Sequence, residues 1–292
     1  QKTAYEIMPS LVGSEMCIRD SIVADTHDTL LFFTTRGKAY SLRCFELPQD
    51  VTRSTRGMPA VNLLAIAEGE RITAVLTTTK HAEEDFIMMA TRKGEIKRMA
   101  YSRLTNIRSN RLITMDLEPE DELVSVRAAR EGDEVVMVTQ MGMAARFPID
   151  DVRQSSRYAG GVRGIRLDIN DRVMSMEVVL PEAQLFVVSQ KGFGKLTPIQ
   201  AYRKTKRSAK GVMTLKITDK TGPVAAAHLI KNETEVMLIS EQGTIERLPL
   251  SEVRVTKRIA QGVWIMRDKE KEDMNVATIA SINSHRDPKE KS

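Results

Sequence analysis

Val236-Met-Leu-Ile-Ser-Glu-Gln-Gly243-Thr-Ile-Glu-Arg-Leu248 is a short apolar run, a polar pair, a glycine and a second short run. A glycine supplies the positive φ of a tight turn, so the stretch predicts a β-hairpin with two strands of roughly 4–6 residues. The same grammar recurs in Leu185-Phe-Val-Val-Ser-Gln-Lys-Gly192 and Val135-Val-Met-Val-Thr-Gln-Met-Gly142. It recurs again in Phe86-Ile-Met-Met-Ala-Thr-Arg-Lys-Gly94 and Leu30-Leu-Phe-Phe-Thr-Thr-Arg-Gly37. The turn glycines at 37, 94, 142, 192 and 243 are 57, 48, 50 and 51 residues apart. A period near 50 is the mark of a propeller-like array, because a small sheet cannot cover both its faces and copies must stack.

Two further markers keep the same register. Gly161, Gly211 and Gly262 lie nineteen residues after Gly142, Gly192 and Gly243, and each has an arginine four residues before it: Arg157, Arg207 and Arg258. Gly57 has Arg53 in the same place, whereas the second unit has no such glycine but keeps Arg108 and Arg111. About 30 residues after each turn glycine comes one more strand: Ile72–Val75, Leu123–Val126, Val173–Met176, Val224–Ala227 and Val276–Ile279. Each unit is therefore read as a hairpin, a basic loop and at least one further strand.

Net charge is only +5, from 44 basic and 39 acidic residues, but its placement is uneven. The loop windows 53–57, 103–111, 153–166, 203–216 and 254–267 hold 19 basic residues and no acidic one, where an even spread would put about seven acids. Stacked copies place equivalent loops on one rim, and a cationic rim is the electrostatic footprint of a polyanion track. Glu68–Arg71, Glu118–Glu122 and Asp168–Asp171 are read as acidic turns opposite those loops. Arginine suits phosphate because its planar fork matches the oxygens. Aromatics are 4% of the chain, few for a single-strand binder that stacks bases, so a duplex fits better.

Other chemistry is not signalled. Nucleophile-elbow, P-loop and dinucleotide fingerprints are missing, and no His/Cys/Asp/Glu group has metal spacing. No set of carboxylates or histidines converges on an expected propeller axis. The 16 methionines sit mostly in strand runs and read as core filling. Two cysteines, Cys17 and Cys44, make no disulfide framework, so a reducing cytosol is expected. No apolar run approaches the ~18 residues of a membrane helix.

Residues 1–21 fall outside the pattern. Glu15-Met-Cys-Ile-Arg-Asp-Ser21 back-translates to GAG ATG TGT ATA AGA GAC AG, which resembles the end of a transposon-based sequencing adapter, and the segment is expected to be non-native. Ile22-Val23 reads as the last strand of a unit whose earlier strands are absent. Residues 22–282 are expected to form the repeat domain, and 283–292 a polar, disordered tail.

Five phrases stand out in order: Thr26-His-Asp-Thr-Leu-Leu-Phe-Phe-Thr-Thr-Arg-Gly-Lys-Ala-Tyr40, Glu46-Leu-Pro48, Thr55-Arg-Gly-Met-Pro-Ala-Val-Asn-Leu-Leu64, Gly160-Gly-Val-Arg-Gly-Ile-Arg-Leu167 and Lys210-Gly-Val-Met213. Together they resemble the C-terminal domain of the DNA gyrase A protein, over about residues 22–282. The resemblance implies an all-β pinwheel with strands exchanged between blades, six in the family and here five plus a remnant of the first. It implies a rim that binds, bends and wraps double-stranded DNA without sequence readout. Its partners would be the rest of the gyrase A protein and the gyrase B protein in an A2B2 holoenzyme of the bacterial cytoplasm and nucleoid, with no membrane.

ATP and Mg would be used elsewhere in that holoenzyme, and no cofactor, metal or catalytic residue is expected here. Arg157-Tyr158 is like the family's catalytic pair but sits in a repeat loop. The family's basic glycine box is missing from the first blade, so poor wrapping is expected. The expected DNA contacts are Arg53, Arg56, Arg108, Arg111, Arg153, Arg157, Arg163, Arg166, Arg203, Lys204, Lys206, Arg207, Lys210, Lys257 and Arg258. The equivalent C-terminal domain of topoisomerase IV and a protein-binding propeller scaffold are the alternatives.

Overall fold

The computed structural model describes residues 4–7, 22–47, 62–78, 85–104, 112–242, 244–266 and 275–282. Gly243, Arg53, Arg56, Arg108 and Arg111 lie outside them, as do the adapter-like stretch and the expected tail. The described hairpins stand where the glycine grammar puts them: Thr29–Thr34 with Lys38–Arg43, Phe86–Thr91 with Glu95–Ala100, Glu134–Thr139 with Met143–Pro148, Gln184–Ser189 with Phe193–Pro198, and Glu235–Ser240 with Ile245–Pro249. These five hairpins organise five blades. Gly142 shows why its position needs glycine: φ is +78°, and a Cβ there would lie 2.3 Å from the Leu215 carbonyl oxygen.

On the inner side, each first hairpin strand pairs with the third strand of its own unit: Ile72–Thr78, Leu123–Ala129, Val173–Val178, Val224–Ile230 or Val276–Ile282. On the outer side, the second hairpin strand takes a two-residue strand from the next unit. Leu112–Ile113 covers the first blade, Val162–Arg163 the second, Val212–Met213 the third and Val263–Trp264 the fourth. The expected strand exchange is thus present, and three strands of the fifth blade are described. Ala4–Ile7 pairs antiparallel with Ile22–Asp25.

The first hairpin strands are continuous apolar runs, not alternating ones, and in the second, third and fourth blades a blade is packed on each side. Val135 and Met137 join a core with Met88 and Ile96 of the second blade. Val136 and Val138, facing the other way, join Leu185 and Val187 of the fourth. Met88, Met89, Met99, Met137 and Met176 are fully buried, as the strand-run methionines predict. Each first strand ends in a buried Thr or Ser, and at Thr91, Thr139, Ser189 and Ser240 the hydroxyl accepts the N–H that follows the turn.

One backbone bond on the inner side recurs from blade to blade. Leu123, Val173, Val224 and Val276 donate to the turn carbonyls of Thr35, Arg92, Gln140 and Gln190 at 2.8–2.9 Å. At the axis the structure corrects one expectation. Arg127, Glu177 and His228, from three successive inner strands, converge at a cavity of about 130 Å³. Arg127 donates to both Glu177 carboxylate oxygens at 2.8 and 2.7 Å, and His228 Nδ1 is 3.0 Å from Oε1. The three lie about 50 residues apart, so no local motif announces them.

Candidate nucleic-acid interface

Each fully described basic loop leaves its hairpin through one 3-10 turn: Ile149–Asp151, Ile199–Ala201 or Leu250–Glu252. It then crosses to the preceding blade and touches down twice. First comes a parallel bridge, Gln154 to Arg98, Lys204 to Arg146 and Val255 to Leu196. Then comes the two-residue outer strand. Arg153, Arg203 and Arg254, one residue before the bridges, therefore hold the same place on three successive blades.

Neighbouring loops also bond to one another. Asp116 N–H donates to Ala159 O at 3.2 Å, Arg166 N–H to Ala209 O at 3.0 Å and Ser208 N–H to Gly164 O at 2.7 Å. The Arg207 guanidinium donates to Arg163 O at 2.6 Å and to Asp151 O at 3.1 Å. Arg258 donates to Met213 O, the equivalent carbonyl one loop on, at 3.0 Å. The loops at 112–116, 153–166, 203–216 and 254–266 thus form one continuous edge. Arg157, Arg207 and Arg258 lie on that edge, all half-buried. Two of the three also bracket neighbouring loops, a role the charge reading missed.

Buried lysines hold two of the loops from beneath. Lys97 is 1% exposed, and its ammonium donates to Thr114 O, Arg157 O and Ala159 O at 2.7–2.8 Å. Lys195, wholly buried, donates to Lys257 O and Arg258 O. Burial pushes both ammonium groups down to about 8, and at Lys195 the Arg258 charge adds to it. The third blade has Ala145 at this place, and there, as at Gly262 over Gly194, the loop glycine sits tight against the strand. Gly211 has φ +84°, and a Cβ there would be 2.4 Å from Ala144 O. Gly211→Ala is expected to cost about 1–3 kcal/mol, read as a lower urea midpoint at unchanged slope.

The expected contact residues divide by their partners. Lys204 is paired with Glu134, which also accepts from Arg146 at 2.6 Å. Burial raises the Glu134 carboxyl, but the Lys204 and Arg146 hydrogen bonds outweigh it and hold the group below the usual carboxylate range. Lys210 pairs with Asp168 at 2.6 Å, so the acidic turn there is not segregated from the basic loop as expected. Arg153, Arg163, Arg166, Arg203, Lys206 and Lys257 are exposed, with no carboxylate in ion-pair reach among the described residues.

Two more exposed cations belong with them. Arg254 stands eight residues before Gly262, as Arg153 and Arg203 stand before Gly161 and Gly211. Lys216 follows Gly211 by five residues, as Arg166 follows Gly161. Repeat register alone would have found both.

A family model described as the DNA gyrase C-terminal domain, a β-propeller, matches residues 28–79, 85–130, 133–180, 183–231 and 234–280. The chain belongs to the DNA gyrase C-terminal domain family. Each matched segment is one unit of the repeat. Relatives of the family bear this out. The DNA gyrase A protein of Dehalogenimonas lykanthroporepellens is 39% identical over 269 residues, covering 90% of this chain and 33% of that protein. The DNA gyrase A protein of Salmonella typhimurium is 37% identical over 253 residues, covering 87% and 29%. The chain spans about a third of the length of these relatives.

Two solved structures share the fold. A DNA gyrase A C-terminal domain has a TM-score of 0.78 at 20% identity, over 97% of this chain and 92% of its own. The C-terminal domain of a DNA topoisomerase IV has 0.80 at 21%, over 94% and 85%. Among the described residues no helix is long and apolar enough to cross a membrane.

Proposed function

We propose that the edge formed by the basic loops binds duplex DNA along its phosphate backbone and bends it around the blades. The observation that carries this is the row of exposed, carboxylate-free cations on loops that bond to one another. Backbone contacts position a duplex without reading it, so choice among sites falls to DNA bendability. In a longer chain the domain serves as the C-terminal part of a gyrase A protein. There it works with the gyrase B protein in an A2B2 assembly of the bacterial cytoplasm, steering ATP-dependent negative supercoiling. ATP and Mg act elsewhere in that assembly, and residues 22–282 contribute positioning, not bond breakage.

Salt titration tests the reading. If ~6–10 phosphates are neutralised, affinity falls by about 10³–10⁵ between 50 and 200 mM salt, because each contact releases condensed counterions. Fluorescence anisotropy of a labelled duplex measures the slope. A shallow slope would remove the reading.

A further inference from the structure

We propose that Tyr158 and Ile259 are wedges that enter the base stack of the bound duplex and set where it kinks. The inference rests on the duplex-binding reading above. Each residue is third in a four-residue turn at the crest of its loop. The turns are closed by Ala159 N–H to Ser156 O at 3.2 Å and Ala260 N–H to Lys257 O at 3.1 Å. Tyr158 is 65% exposed and Ile259 61%. Turn crests ordinarily carry small polar residues, as the loop between them does with Ser208. Large side chains held in water there are not explained by burial in the core.

The support beneath the crests follows the same division. Lys97 donates to the carbonyls on both sides of Tyr158, and Lys195 to the two just before Ile259. The serine crest has Ala145 below it and is held from the side instead, by Arg207 to Asp151 O and Arg163 O and by Ser208 to Arg163 O and Gly164 O. A wedge must be stiff, since a loop that yields cannot pry bases apart. The two apolar crests are the ones held by a buried lysine from beneath. Charge fits a duplex as the occupant. The Arg157 guanidinium lies 5.4 Å from the Tyr158 ring centroid, and exposed Arg254 and Lys257 flank Ile259. Apolar wedges of this kind unstack a base step and kink the duplex, at least cost where a pyrimidine precedes a purine.

The test uses the 292-residue chain and a duplex carrying 2-aminopurine at TA steps. Tyr158→Ser with Ile259→Ser shortens two side chains that are 65% and 61% exposed, so the core is untouched. The original chain is expected to raise 2-aminopurine fluorescence and to prefer the TA duplex over one lacking such steps. The double variant is expected to bind with the same salt slope, without the rise and without the preference. Steep, salt-dependent binding with fluorescence left at the free-duplex level would overturn the wedges and leave the duplex reading intact. So would a double variant that keeps the rise. Absence of salt-dependent binding would sink both.

Discussion

Replacing Arg153, Arg203 and Arg254 together with Gln is expected to lower duplex affinity about 500-fold at 0.1 M salt and to cut the salt slope by about 2.7. Each phosphate contact contributes a slope of about 0.9, so three lost contacts give both numbers. The three occupy one place on three blades, each a residue before a parallel bridge. All are exposed, so folding should be untouched. Replacing Arg207 and Arg258 is a different experiment, because their guanidinium groups hold neighbouring loops through Arg163 O and Met213 O. Those variants should lose thermal stability as well as DNA. A triple variant with an unchanged slope, measured by anisotropy, would mean that the duplex lies elsewhere.

Glu177→Ala is expected to cost about 3–5 kcal/mol in urea unfolding. Removing the carboxylate takes away the group that Arg127 and His228 share at the axis. The same group governs acid behaviour. Burial raises the Glu177 carboxyl, but the Arg127 and His228 charges and hydrogen bonds outweigh it and bring it to about 2. The unfolded chain holds it near 4.5. Because the folded value is depressed, its contribution is present above about 4.5 and is lost as pH falls toward 2. The amount is about 3 kcal/mol, since each pKa unit corresponds to about 1.4 kcal/mol. Unfolding curves at about pH 7, 4.5 and 3 measure it. Glu177→Gln should flatten the profile over that window, and an unchanged profile would show that the triad does not set acid stability.

The repeat itself was legible because it is written in local chemistry. A run buried by a blade on each side is apolar throughout, and a tight turn demands glycine within a few residues of it, as at Gly142. The basic loops could be read for the same reason, since Arg153–Arg166 and Arg203–Lys216 are contiguous and free of acids. Sign and period together suffice to place them on one edge.

What the edge does with each cation was not legible. Arg203 and Arg207 look alike in the chain, yet one is exposed and the other reaches a carbonyl 44 residues back. Lys97 and Lys195 read as ordinary strand lysines until the loops that cover them, about 60 residues on, are folded over. Periodicity therefore determined the blades, their order and the sign of the rim. Side-chain direction across the strand exchange decided which cations are free for a ligand, which hold the loops, and which charges meet at the axis. Those outcomes depend on pairs roughly one repeat apart, and a reading along the chain has no term for them.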